Sequence, residues 1–181
     1  MKATGIVRRI DDLGRIVIPK EIRRVLRIRE GDPLEIFTEK DGEVIFKKYS
    51  PMGERGSFAA QICESLHKTT AAAAAICDRD TVIAVSGGFR RELMEKRISP
   101  ALEQIMENRG VYHRAAEGDA STPAVEGAES PAVSIAAPII AAGDVMGCVL
   151  FVAEPNSAPH GDTELKLAQM VAAFLGKQME E

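Results

Sequence analysis

The chain has 181 residues, 45% hydrophobic and 28% charged, with three cysteines and a formal net charge of −4. No apolar run approaches the roughly 20 residues that cross a bilayer. The odd, widely spaced cysteines Cys63, Cys77 and Cys148 suit reduced thiols rather than a disulfide framework, and no CxxC pair or His/Cys cluster offers a metal site. No cofactor motif is present, and the opening MKATGIVRR lacks the apolar core of a signal peptide, so a cytoplasmic protein is expected. The net charge argues against nucleic-acid binding only if the chain is averaged. Through Gly53 there are 12 basic and 9 acidic residues, a balance of +3, whereas the remainder holds 11 and 18, a balance of −7. Through Arg29 alone the count is 9 against 3, which concentrates the positive field in the opening stretch.

Thr4 to Ile10 reads as a strand, followed by turn chemistry at Asp11, Asp12 and Gly14 and a second strand at Arg15 to Ile18. Pro19 suits a helix start, where its missing N–H costs nothing. In that helix Ile22, Val25 and Leu26 share one stripe, with Lys20, Arg23, Arg24 and Arg27 opposite. Glu30, Gly31 and Asp32 end it. Leu34 to Thr38 and Glu43 to Lys48 form a hairpin over Asp41-Gly42, a feature read as structural. Four short strands and a two-turn helix are too little for an independent core. With metals and disulfides excluded, an obligate dimer with interleaved strands is expected.

Ser50 to Gly56 reads as a linker, with the domain boundary between residues 53 and 54. A helix over Phe58 to Lys68 follows, then strands at Ala71 to Cys77 and Thr81 to Ser86. The alanine run is assigned to strand rather than helix because a clear hairpin partner follows it. Short helices are expected at Arg90 to Glu95 and, from the Ser99-Pro100 cap, to Asn108; Val111 to Arg114 is a strand. Ala115 to Pro131, poor in bulky apolar residues, is expected to be a mobile loop. Val133 to Ile140 and Val145 to Ala153 make a long apolar hairpin. A last helix, from an Asp162 cap to Met179, is apolar around so much of its circumference that it should bury two faces, one on its own sheet and one on another copy.

The segment MKATGIVRRIDDLGRIVIPKEIRRVLRIREGDPLEIF resembles the N-terminal swapped-hairpin domain of the AbrB family of transition-state regulators, over about residues 1–53. With the second domain attached, the chain is similar to sporulation regulators of that family whose C-terminal domain is a GAF domain. The fold this implies is α+β: a swapped-hairpin β-barrel formed by two chains (residues 1–53), then a GAF-like α/β domain with an antiparallel sheet and flanking helices (residues 54–181). The resemblance implies a cytoplasmic transcription regulator, activator and repressor of sporulation genes, that contacts double-stranded promoter DNA through Arg8, Arg15, Arg23 and Arg24. Arg9, Lys20 and Arg27 are secondary DNA candidates. The expected partners are a second copy and, through the C-terminal helices, a homotetramer, together with a small-molecule ligand of the GAF-like domain whose identity the sequence leaves open.

Several blander or competing readings stand beside this one. Arg15 or Arg23 can pair with Asp11, Asp12 or Glu21 without DNA. An antitoxin is the first alternative, since related swapped-hairpin domains neutralise toxins through an extended C-terminal segment, although residues 57–181 read as globular. A cysteine redox enzyme of the GAF type is the second, but Cys63 falls on a helix stripe and Cys77 and Cys148 within apolar strands, which suits buried, inert thiols. His67, His113 and His160 lie in separate segments with no nucleophile motif nearby. Ser86-Gly87-Gly88-Phe89-Arg90-Arg91 could cradle an anion, and a tight turn is the simpler reading.

Overall fold

The computed structural model describes residues 5–54, 56–114 and 121–180. It divides into two compact units, residues 1–49 and 50–181.

In the first unit the two N-terminal runs are extended but carry no strand ladder, contrary to the expected strands at Thr4 to Ile10 and Arg15 to Ile18; Thr4 itself lies outside the described residues. Among the described residues the backbone bonds joining the runs are at the turn, where Asp11 N–H donates to the Arg15 carbonyl and Gly14 N–H to the Asp11 carbonyl, both at 3.0 Å. A ladder needs a partner strand, and one chain supplies none here. Helix α1 (Lys20–Val25) is shorter than the sequence suggested. Its first bond is Arg23 N–H to the Pro19 carbonyl. It stops because Arg27 takes a left-handed conformation (φ 51°), with Arg27 N–H on the Arg24 carbonyl and Ile28 N–H on that of Arg23. Strands β1 (Leu34–Thr38) and β2 (Val44–Lys48) pair as expected, Leu34 opposite Lys48 and Thr38 opposite Val44. Gly42, at φ 81°, closes their turn.

The second unit begins earlier than the expected linker allowed. Residues Pro51–Glu54 form a short helix, α2, and Met52 is completely buried in the core of this unit. Helix α3 (Gly56–Thr70) leads into the antiparallel pair β3 (Ala73–Cys77) and β4 (Val82–Ser86). The alanine run is therefore strand, every residue of β3 being buried. Helix α4 (Arg90–Leu93) is one turn long. Helix α5 (Pro100–Glu107) opens as its sequence dictates, with Ser99 Oγ accepting from Leu102 N–H at 3.0 Å and proline at the first position. Two-residue strands β5 (Tyr112–His113) and β6 (Thr122–Pro123) both lie along β7 (Ala132–Ala141), which forms a long hairpin with β8 (Asp144–Ala153). Helix α6 (Asp162–Gln178) closes the chain, capped by Gly161, whose N–H donates to Glu164 Oε2 at 3.0 Å.

The sheet runs β4-β3-β8-β7-β5, with β6 also on β7. Because successive side chains point to opposite faces, it carries two cores. Ala74, Ile76, Ile135, Val149 and Phe151 pack under α3 and α6, while Ala75, Cys77, Ala136, Cys148 and Leu150 pack under α4 and α5. Helix α6 comes so close to β7 that a methyl added at Gly176 would run into the Ile140 carbonyl. The expected loop at Ala115 to Pro131 is corrected over its described part: Ala124 and Val125 are buried, Val125 bridges Ile98, and β6 joins the sheet; residues 115–120 lie outside the described residues. Backbone pairing, which composition does not report, orders this segment.

The β7–β8 turn places Ala142 (φ 49°) and Gly143 (φ 85°) in left-handed conformations, a two-residue turn that favours asparagine before glycine. Ala142→Asn should raise stability by part of the roughly 1–2 kcal/mol that a left-handed conformation costs an ordinary residue, read as a higher denaturation midpoint in urea. The thiols are shielded too. Cys63, Cys77 and Cys148 are fully buried, and burial pushes the Cys63 thiol up to about 12 and the other two upward as well. With thiolate the reactive form, the native protein should show no titratable thiol with an aromatic disulfide reagent at pH 8, and three after unfolding. Rapid labelling of any one in the native state would contradict the buried assignment.

Candidate nucleic-acid interface

Between residues 5 and 49 the described chain buries a single residue, Pro19. Ile6, Val7, Ile10, Leu13, Ile16 and Val17 are all exposed along the two extended runs, and Val25, Leu26, Ile36, Phe37, Val44 and Phe46 join them from α1 and the hairpin. Part of this surface forms an open apolar groove of about 550 Å³, floored by Ile16, Ile18, Pro19, Ile22, Leu26 and Phe46.

The same segment carries a series of basic side chains. Arg8, Arg9, Arg15, Lys20, Arg23 and Arg24 are all exposed. Of the four arginines that the family resemblance singles out, Arg8 alone lines the groove. Arg23 and Arg24 occupy the last turn of α1, where cations suit the negative end of the helix dipole, and Glu21 occupies the first. Arg15 lies just past the turn and pairs with Asp11, Nε to Oδ2 at 2.7 Å. One chain therefore presents these arginines from three separate elements rather than converging them on one pocket. Arg27 departs from the expected cationic helix face: it is the left-handed residue that ends α1, it is only partly exposed, and its carbonyl accepts from Lys48 Nζ at 3.1 Å. Lys48 also meets Asp32 at 3.2 Å, tying β2 to the segment after the helix.

The pairing of Arg15 with Asp11 that the sequence admitted is present, and it leaves Arg15 available. The Arg15 side chain is 70% exposed, and a pair so open to water contributes little to stability. The N–H of Arg15 first and its guanidinium second hold the Asp11 carboxyl below the usual carboxylate range, so it stays ionised.

In the second unit the structure brings together residues that the sequence kept apart. His113 Nε2 lies 2.7 Å from the His160 carbonyl, and the next residue, Arg114, is buried and donates to the carbonyls of Pro155 (2.7 Å) and Ser157 (2.6 Å). Sequence reading missed Arg114, whose partners lie more than 40 residues away and are backbone atoms, so no side-chain pattern marks them. Burial, reinforced by Arg114 and His113 against the pull of Glu164, holds His160 below the usual imidazole range. His67 is remote from this group and its Nδ1 lies 3.0 Å from the Ala72 carbonyl. The Ser86 to Arg91 segment is a tight turn with Gly87, Gly88 and Phe89 all at positive φ. Among the described residues no group of three or more His, Cys, Asp or Glu is arranged to hold a metal, and no helix is long and apolar enough to cross a membrane.

Comparison with known proteins matches both halves. Residues 54–180 match the family described as stage V sporulation protein T C-terminal, transcription factor. Residues 7–53 match the family described as antidote-toxin recognition MazE, bacterial antitoxin. Stage V sporulation protein T of Bacillus subtilis is 49% identical over 183 aligned residues, covering 100% of each chain. The transition state regulatory protein AbrB of the same organism is 59% identical over 51 residues, 28% of this chain and 52% of that one. The second unit shares its fold with the GAF domain of a phosphoenolpyruvate-protein phosphotransferase from Coxiella burnetii, at 16% identity and a TM-score of 0.51, covering 68% of this chain and 81% of that one. With its full length aligned at this identity and its larger unit matched by the family model, the chain belongs to the stage V sporulation protein T family of transcription factors.

Proposed function

We propose that two copies of the first unit fold together into one DNA-gripping module, with Arg8, Arg15, Arg23 and Arg24 of each chain as its contacts, and that the GAF-like unit joins modules and biases their arrangement. The observation that carries this reading is the coincidence, on residues 5–49, of a nearly complete lack of burial with a surplus of arginine. Burying a Val, Leu, Ile or Phe side chain is worth about 1.5–3 kcal/mol, so the exposed runs favour any partner that covers them. A second copy supplies the same surface and the missing ladder, and doubles the arginines available to span a duplex.

Arginine suits this role because its planar fork can make bidentate bonds to phosphate or guanine. Phosphate neutralisation then supplies most of the affinity, and recognition draws on DNA shape and bending more than on a strict base code. The second unit offers its own surface for assembly. The inner face of α6 is buried on the sheet, yet Met170 and Phe174 remain exposed on its outer face, and Phe174 lies 6.4 Å from the Phe58 ring of α3. Pairing through α3 and α6 makes the tetramer. A small molecule bound by the GAF-like unit acts only through a difference in affinity between two arrangements of the modules. Such a protein works in the cytoplasm, where its DNA is.

An antitoxin role draws support from the match of residues 7–53. Against it, the remainder of the chain is a folded unit built on a six-stranded sheet, not an extended toxin-binding tail. Against a cysteine redox enzyme stand the three buried thiols.

Arg23→Ala/Arg24→Ala in the full chain tests the reading. Binding to an A·T-rich duplex should fall steeply while the sedimentation mass stays unchanged, and the slope of log affinity against log salt should shrink by about 3–4, since a dimer loses four cations at about 0.9 each. Loss of assembly instead would make these arginines structural.

A further inference from the structure

A carboxylate on a DNA-gripping turn repels phosphate, so Asp11 stands out beside Arg8, Arg9 and Arg15. Its hydrogen bonds give it a use. Oδ1 accepts from the backbone N–H of Leu13 at 3.0 Å and of Arg15 at 2.8 Å, while Oδ2 accepts from Arg15 Nε at 2.7 Å. The main chain closes the same turn, Asp11 N–H on the Arg15 carbonyl and Gly14 N–H on the Asp11 carbonyl, with Gly14 at φ 74°. One carboxylate thus fixes residue 15 twice, at its backbone and at the inner nitrogen of its guanidinium.

We propose that Asp11 is the positioning residue for Arg15 in DNA recognition: by holding Nε it sets the guanidinium plane and turns the outer Nη1/Nη2 edge toward the duplex. The proposal rests on the reading that Arg15 touches DNA. Its physical basis is preorganisation. A free arginine loses rotamer freedom when it binds, whereas one already held by a neighbour has less to lose. Asp11 takes Nε, and the opposite edge of the fork is the one that makes paired bonds to a phosphate or a guanine. Charge alone acts in the other direction, since a carboxylate next to the arginine weakens the local positive field. The two effects therefore differ in sign, and one substitution separates them.

The experiment compares the parent full-length protein with Asp11→Asn, Arg15→Ala and the double variant, measuring binding to a fluorescein-labelled A·T-rich duplex by anisotropy at several salt concentrations. Asparagine keeps an oxygen at Oδ1 for the two backbone N–H groups, so the turn is retained and only the ionic hold on Nε is lost. Asp11→Asn should weaken binding about tenfold, the cost of ordering two freed arginines per dimer, although it removes negative charge. In the Arg15→Ala background the same change should have no weakening effect. Binding equal to or tighter than the parent's in Asp11→Asn overturns the proposal, and so does an equal loss in both backgrounds, which would assign Asp11 to the turn and not to Arg15. If Arg15→Ala alone binds like the parent, the underlying reading of Arg15 as a DNA contact fails, and the proposal falls with it.

Discussion

The backbone of the two extended runs in residues 5–18 makes no strand ladder within its own chain, and along it Ile18 is the one large apolar side chain that is not exposed. A backbone without a strand ladder, and β-branched side chains left in water, set one constraint: the segment is complete only when something pairs with it. The rest of the first unit follows from that. Helix α1 is a short amphipathic stub stopped by Arg27, and β1–β2 is a hairpin with most of its residues exposed. Neither can shield the runs. The arginines are carried on these same elements, so the surface that needs a partner and the proposed DNA surface are built on one segment of chain.

The second unit meets the opposite condition. Its six-stranded sheet is covered on both faces, by α3 and α6 on one side and α4 and α5 on the other, and it buries even Arg114 by giving its guanidinium two backbone carbonyls. Such a body holds its shape without help. What it leaves over is the outer face of α6, where Met170 and Phe174 face solvent, and this is where a stable body can join others without refolding.

Much of this was legible in the sequence because the signals are local. The Ser99-Pro100 cap, the Asp41-Gly42 turn, the long apolar hairpin of β7 and β8, and the strand in the alanine run all depend on residues a few positions apart or on an adjacent hairpin partner. What was not legible depends on distant backbone. Ser50 to Gly56 looked like a linker because it carries one Pro and two Gly among small or charged residues, yet Met52 is held in a core assembled from residues far along the chain. Ala115 to Pro131 looked like a mobile loop because it is poor in bulky apolar residues, yet in its described part small side chains pair through their main chain with β7 and Ile98. At the interface the helix periodicity placed Arg23 and Arg24 on the exposed face but could not foresee that Arg27 would leave the helical path. Asp11 was seen as a competitor of the arginines; its geometry beside Arg15 became apparent only when the turn closed both of its oxygens.

The central claim is that the N-terminal runs acquire their ladder from another copy. Amide hydrogen exchange across residues 5–18 of the full-length protein, without DNA and at a concentration where it is oligomeric, addresses this directly. Slow exchange there, approaching that of the β3–β8 pair, is the result the account predicts, since one chain offers these amides no ladder. Exchange at the rate of an unstructured peptide in the assembled protein would contradict it.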